Sequence, residues 1–236
     1  MKKKEFQEIY KKIDQLMAQA LKDSSHPYRT FSLATVDVKT PSLRTVVLRD
    51  FSFNNNYLDC HSDLRSPKIK ELNKNKKFSA LFYSSEKKIQ LRFKGTVEIF
   101  HQNSITEDRW DKITPSSKRC YMGPFNPSDS LEDYHPNIPD NVKFKNPSDK
   151  DSESGYKNFV IIRCHFYEID FLKLKFSGHK RCKFTFDKED VKESLAKVAM
   201  TYEIPYAEIS KKDAHRHYLK LKGMKHTDIL VEGEWF

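Results

Sequence analysis

Between His26 and Phe100 the chain reads HPYRTFSLATVD (26–37), PSLRTVVLRDF (41–51), YLDCHSDLRSPKIKEL (57–72), SALFY (79–83) and KIQLRFKGTVEIF (88–100). β-branched and aromatic residues recur at a period of two, and Pro, Asn and Ser separate the runs, which is the pattern of half-buried strands joined by turns. Strands are predicted at Thr30–Val36, Arg44–Arg49, Asn56–Ser62, Phe78–Tyr83 and Gln90–Phe100. One helical interruption follows Pro67, where Ile69 and Leu72 fall at helical spacing within residues 66–75. A strand meander broken by one short helix predicts a small antiparallel barrel.

Outward from this stretch, Phe6, Ile9, Tyr10, Ile13, Leu16, Met17, Ala20 and Leu21 define an amphipathic helix over residues 4–22, ended by the breaker Asp23-Ser24-Ser25-His26-Pro27. On the other side, residues 103–154 carry six prolines among scattered apolar residues and read as a long loop, opened by a helix at Ser104–Ile113. Strands resume at Asn158–Asp170 and Lys180–Asp187 and complete a sheet of six or more. Val191, Leu195, Val198 and Ala199 suggest a last helix. The predicted organisation is a mainly β domain over residues 1–187, with 103–154 as an insertion, followed by an extension over 188–236. No internal repeat is present.

A chain of 236 residues can bury a core without disulfides or metal. Charged residues make up 32% of it, the mean hydropathy is −0.77, and the formal charge of +10 favours anionic partners. The basic residues are spread along the whole chain, which suits a Lys-rich surface better than a nucleic-acid interface. Cys60, Cys120, Cys164 and Cys182 form no CxxC pair and no zinc-type spacing, so they read as reduced cysteines. His215, His217 and His226 lack a third partner at fixed spacing and read as surface histidines. With neither a signal-type apolar segment nor a membrane-length run, the expectation is a cytoplasmic protein without nucleic-acid or membrane partners.

Arg44 and Arg49 bracket Thr45-Val46-Val47-Leu48, and Lys68 opens the short helix, whose free N–H groups and positive dipole end favour a phosphate. Two guanidinium groups and an ammonium suit a phosphate dianion. Two strand-end arginines separated by five residues point to opposite faces of a regular strand, so one ligand meets both only if the strand runs along its edge. A trio of basic residues alone does not distinguish such a site from solvated side chains.

The five quoted runs, in that order and at that spacing, resemble the FMN-binding half of the pyridoxamine 5′-phosphate oxidase family, in the subgroup of flavin-binding split barrels whose signature ends in R-S-P-K, here Arg65–Lys68. The resemblance covers residues 24–101 and resumes more weakly at 105–125 and 158–186. It implies a split β-barrel of antiparallel Greek-key type with flanking helices, and FMN as cofactor. The family's R-x-V-x-L-[KR] strand along the flavin and its phosphate tail falls on Arg44, Val46, Val47, Leu48 and Arg49. Its aromatic-Thr pair falls on His61 and Ser62, and its S-R-K phosphate clamp on Ser66, Pro67 and Lys68, with Arg65 substituting for the arginine that Pro67 replaces. Gln90 matches a glutamine that contacts flavin from the partner subunit, which implies a homodimer with shared sites.

The C-terminal half departs from the family. An R-x-H pair that holds substrate there reads His179-Lys180-Arg181 here, and Lys183 takes the place of a later FMN-contacting arginine. Arg119 corresponds only loosely to an arginine for the substrate phosphate. The implied activity is therefore that of an FMN-dependent oxidoreductase moving hydride to flavin N5, with the substrate left open between pyridoxamine or pyridoxine phosphate and another small molecule. No general acid, nucleophile or metal cluster stands out, because the cofactor carries the difficult chemistry. A non-catalytic flavin or haem carrier or sensor is the alternative.

Overall fold

The computed structural model describes residues 3–37 and 39–186. It places α1 at Lys3–Lys22, followed by β1 (Thr30–Asp37), β2 (Thr40–Val47), β3 (Asp50–Ser52), β4 (Tyr57–Asp63), α2 (Pro67–Lys74), β5 (Lys77–Ser84) and β6 (Ile89–Phe100). Then come α3 (Ser104–Asp111), α4 (Pro115–Lys118), α5 (Asp149–Ser152), β7 (Phe159–Lys173) and β8 (Lys180–Thr185). The expected helix at Val191–Ala199, the three tail histidines and the extension as a whole lie outside the described residues.

All strands join one antiparallel sheet in the order β2-β1-β5-β6-β7-β4-β3, with β8 also on β7. One edge of β7 pairs with β6 along its length. The other edge is divided: Phe159–His165 pair with β4 and Glu168–Lys173 pair with β8. Where the two partners part, the register of β6 on β7 slips between Lys94 and Gly95. Gly95 is required there, since a Cβ would lie 1.9 Å from the carbonyl oxygen of His165.

The barrel closes through two successive amides. Leu48 N–H donates to the Arg29 carbonyl at the foot of β1, and Arg49 N–H donates to the Asp59 carbonyl in β4, each at 2.8 Å. The chain thus passes from the β1–β2 side to the β3–β4 side at Leu48–Arg49, and β2 stands near β4 without pairing to it. The predicted strand Arg44–Arg49 begins four residues inside β2 and overruns its end by two, because Leu48 and Arg49 are the crossing.

The inward-facing residues of β1, β5 and β6, among them Phe31, Leu33, Phe82, Leu91 and Phe93, fill the barrel with Leu58, Ile162 and Phe166. α1 covers one side with Phe6, Ile9, Ile13, Leu16, Met17 and Ala20, and Phe6 meets Phe184 at 4.7 Å between ring centroids. Each large side chain buried this way contributes roughly 2 kcal/mol, whereas a helix of this length is marginal alone. Arg29 caps α1 by donating to the carbonyls of Ala20 and Leu21 at 3.2 and 3.0 Å.

The segment 103–158 is more ordered than its proline content suggests. Asn103 and Thr106 form a reciprocal capping box at α3, and Trp110 packs on Phe159 and Ile161, the face of β7 turned away from the barrel core. Trp110 Nε1–H donates to Glu153, which also accepts from Lys118 at 2.8 Å. The segment opens with the expected helix, α3, and adds the single-turn helices α4 and α5, with mostly irregular chain over 122–148. A small apolar cluster fixes the segment to the sheet, and its residues are too far apart in sequence to show periodicity.

Candidate functional site

The gap between β2 and β4 opens as a cleft of about 490 Å³. β2 and the crossing supply Arg44, Thr45, Val46, Val47 and Arg49; β4 supplies His61, Ser62 and Asp63; the start of α2 supplies Ser66, Pro67 and Lys68. The helical segment closes the rim with Cys120, Tyr121, Pro127 and Ser128. Residues from both faces of β2 line the cleft, because β2 is the last strand of its side of the sheet and runs along the opening. Arg44 and Arg49 therefore border one space despite their odd separation.

At one end, Lys68 Nζ donates to Ser66 Oγ at 2.9 Å and Ser62 Oγ at 3.2 Å, and the two hydroxyls lie 3.1 Å apart. Ser66 is the N-cap of α2, yet its side chain makes no capping hydrogen bond, and Pro67 needs none at the first helical position. Ser66 Oγ thus belongs to the cleft and not to the helix. Among the described residues no carboxylate comes within ion-pair distance of Lys68. Burial, followed by repulsion from Arg44, pushes the Lys68 ammonium below its ordinary pKa, an imbalance that a bound anion would relieve.

Farther in, two buried nitrogens have no partner, Arg49 Nε and His61 Nε2. Buried polar groups are as a rule hydrogen-bonded; of the three unpartnered buried side-chain atoms among the described residues, His26 Nε2 lies outside the cleft, and the other two line it together and mark a place that a ligand completes. Burial, with Arg49 and Arg109 adding repulsion, pushes the His61 imidazole down to about 3, so it is neutral at physiological pH. The His61 ring makes an edge contact with Phe159, at 4.9 Å and 82°. Burial also raises the Tyr121 phenol, which stays protonated.

Beneath this wall, Asp59 is fully buried and accepts two hydrogen bonds from Arg163, at 3.0 and 2.9 Å. Burial is the largest influence on its carboxyl and raises its pKa, against the pull of Arg163. Arg109 of α3 pairs with Asp50 at 2.7 Å and donates to the Arg49 carbonyl at 3.3 Å, tying the helical segment to the crossing.

Of the residues expected from sequence, Arg44, Val46, Val47, Arg49, His61, Ser62, Ser66 and Lys68 meet in this cleft. Four do not. Leu48 is fully buried in the core and its N–H is committed to the Arg29 carbonyl, so it does not line the cleft. Arg65, expected to replace the clamp arginine, is held by the Asp63 carboxylate at 2.7 Å and donates to the Gly123 carbonyl at 2.9 Å. It fastens the rim to β4 instead. Gln90 on β6 and Lys183 on β8 lie several strands from β2, and Lys183 faces Glu168 at 3.4 Å. Arg119 donates to the Val142 carbonyl at 3.3 Å and is not part of the lining.

Sequence reasoning missed Glu71, Asp63 and the rim residues. Glu71 had a signal: it sits between Ile69 and Leu72, a carboxylate on the buried side of a short amphipathic helix, which demands a cationic partner.

Residues 10–101 match the family described as pyridoxamine 5′-phosphate oxidase, FMN-binding domain. Over that stretch the chain is similar to an FMN-binding domain of the pyridoxamine 5′-phosphate oxidase type. The matched stretch contains every expected cleft residue, and FMN is the cofactor of such a domain. The fold agrees. A pyridoxamine 5′-phosphate oxidase-related FMN-binding protein from Nostoc punctiforme is 18% identical, with 82% of this chain and 95% of that one covered and a TM-score of 0.60. PhzG from Burkholderia lata, solved with tetrahydrophenazine-1-carboxylic acid, is 16% identical, with 77% and 88% covered and a TM-score of 0.56. No curated protein matches the sequence. The cleft suits FMN, with hydroxyls and an unpaired ammonium at one end, unpartnered nitrogens farther in, and a volume in the range of cofactor pockets.

Proposed function

We propose that this protein is an FMN-dependent oxidoreductase acting on a small molecule, with the flavin phosphate at Ser62, Ser66 and Lys68. The observation that carries this reading is the coincidence, in one cleft, of that unspent hydroxyl and ammonium cluster with the unpartnered nitrogens of Arg49 and His61. Arg44 adds a second positive charge, and Val46 and Val47 lie along the ligand. FMN supplies the redox step, hydride transfer between a substrate carbon and flavin N5, with molecular oxygen or another acceptor taking the electrons afterwards. The chain's task is to hold the phosphate, hydrogen-bond the ligand through Arg49 and His61, and leave one face accessible.

The proposal includes a homodimer. Leu43, Leu81 and Tyr83 are 70%, 38% and 44% exposed on the outer face of β2, β1 and β5. By strand alternation Thr45 and Val47 share the face of Leu43 and also line the cleft. A second copy seated on this apolar face would border the opening, and Gln90 and Lys183 would serve the site of the partner subunit.

Absorption spectroscopy tests the cofactor: flavin bands near ~450 nm on the purified or FMN-reconstituted protein support the reading. A Soret band, or a colourless protein that rejects FMN, refutes it. Anaerobic mixing with candidate donors tests catalysis, since a substrate bleaches the flavin band and air restores it. Pyridoxine phosphate is expected to bleach it weakly or not at all. The R-x-H order is missing, and Arg181 is engaged with Asp170 at 2.9 and 3.0 Å.

A further inference from the structure

Arg44 is not a free cation. Its Nη2 donates to Glu71 Oε2 at 2.7 Å and its Nη1 donates to the hydroxyl of Thr35, which in turn donates to the same carboxylate. Ser42 Oγ donates to the other carboxylate oxygen at 3.1 Å. Glu71 is 8% exposed and Thr35 1%. A carboxylate beside a phosphate-binding cleft is a liability on simple Coulomb grounds, because it repels the anion the site is built to hold. The geometry gives it another use. Arg44 and Lys68 are two cations converging on one half-buried space, and each disfavours the charge of the other. Unopposed, a flexible guanidinium would turn toward water. Glu71 occupies its inner edge, and the Nε–H and the second protons of both Nη atoms remain for a ligand.

We propose that Glu71 is a positioning residue for the phosphate end of the cleft, holding Arg44 through the Thr35-buttressed ion pair so that FMN meets a preorganised guanidinium. The inference rests on the reading of this cleft as the FMN site, and it concerns a residue that touches neither cofactor nor substrate. Its strength is that the two roles open to Glu71 predict opposite signs. If the carboxylate acted on the phosphate through space, neutralising it would tighten FMN binding. If it positions Arg44, neutralising it weakens binding.

FMN titration followed by quenching of flavin fluorescence, with thermal unfolding of each apoprotein as a control for folding, separates these outcomes. Glu71→Gln is expected to raise the FMN Kd about tenfold, the loss of one charge-assisted contact. In an Arg44→Ala background the same change is expected to have almost no further effect, because the arm it positions is gone. Thr35→Val keeps the buried shape and the carboxylate, and its expected weakening is several-fold, so the idea stays testable if Glu71→Gln folds poorly. Tighter or unchanged binding in Glu71→Gln, or equal weakening with and without Arg44, overturns the proposal. Lys68→Ala controls the underlying reading. If Glu71→Gln is silent while Lys68→Ala releases FMN, only the role of Glu71 fails. If neither Lys68→Ala nor Arg44→Ala changes the Kd, the phosphate has been misplaced altogether.

Discussion

His61 should make this protein acid-sensitive between about pH 6.5 and 5, above the ordinary range of carboxylates. Its imidazole is moved from 6.5 to about 3, chiefly by burial and further by the charges of Arg49 and Arg109. In the unfolded chain the same imidazole takes up a proton near its ordinary value. Above that value both states are neutral there and His61 costs nothing. As the pH falls through it, the unfolded state gains a proton that the folded state refuses, and stability declines until the folded imidazole itself titrates near 3. At about 1.4 kcal/mol per pH unit, the interval from 6.5 to 5 removes roughly 2 kcal/mol. For a domain of this size that is a fall in Tm of about 4–8 °C. Urea unfolding of the apoprotein at pH 7 and pH 5 measures it, with His61→Phe as the comparison. The phenyl ring keeps the edge contact with Phe159 and removes the titrating nitrogens, so most of the pH 7 to 5 decline should vanish. Equal declines in the two proteins would refute the assignment of the acid sensitivity to His61.

The remaining expectations concern one site each. Lys68→Ala should weaken FMN binding by about 10²-fold, the worth of a charge-assisted phosphate contact, with little change in Tm, as equilibrium dialysis would show; undiminished binding contradicts the placement of the phosphate. Gly95→Ala should cost about 3 kcal/mol, since the His165 carbonyl 1.9 Å from the new methyl is backbone that must move; a chemical denaturation curve matching wild type would remove the steric argument. Asp59→Asn should destabilise the apoprotein by about 3 kcal/mol by leaving the half-buried Arg163 without its countercharge. Leu43→Asp combined with Leu81→Asp should shift the protein to monomer in sedimentation and lower FMN affinity; an intact dimer would move the interface to another face.

How much could be read in advance depended on the range over which each signal acts. The strands from Thr30 to Phe100 were readable because alternation is local, and α1 because Phe6 through Ala20 repeat at helical spacing. β3 was not. Its three residues, Asp50–Ser52, are too few for a period, and they become a strand only because β4 folds back on them. The attachment of segment 103–158 to the sheet was not readable because Trp110, Phe159 and Ile161 are distant in sequence and converge only after β7 has formed. The cleft was readable in its residues and not in its arrangement. Arg65 and Arg44 both count as cations in the sequence, and only the fold shows that Asp63 occupies one and Glu71 the other.

That last difference bears on how such a cleft recognises an anion. Arg44, Arg49, Arg65 and Lys68 are four positive charges within 25 residues, and electroneutrality in a half-buried space forbids leaving all of them uncompensated. The chain resolves this by assigning carboxylates unevenly. Arg65 is spent on Asp63 and on the rim at Gly123, where it does structural work. Arg44 is tethered to Glu71 while keeping donors to offer. Among the described residues Arg49 and Lys68 have no acidic partner, and they sit where unpartnered or weakly partnered polar atoms collect. The strength of each cation toward a ligand thus follows from what its own fold has already claimed of it. On the proposed reading, those two cations, more than the number of basic residues, are what the cleft has left to offer an anionic ligand.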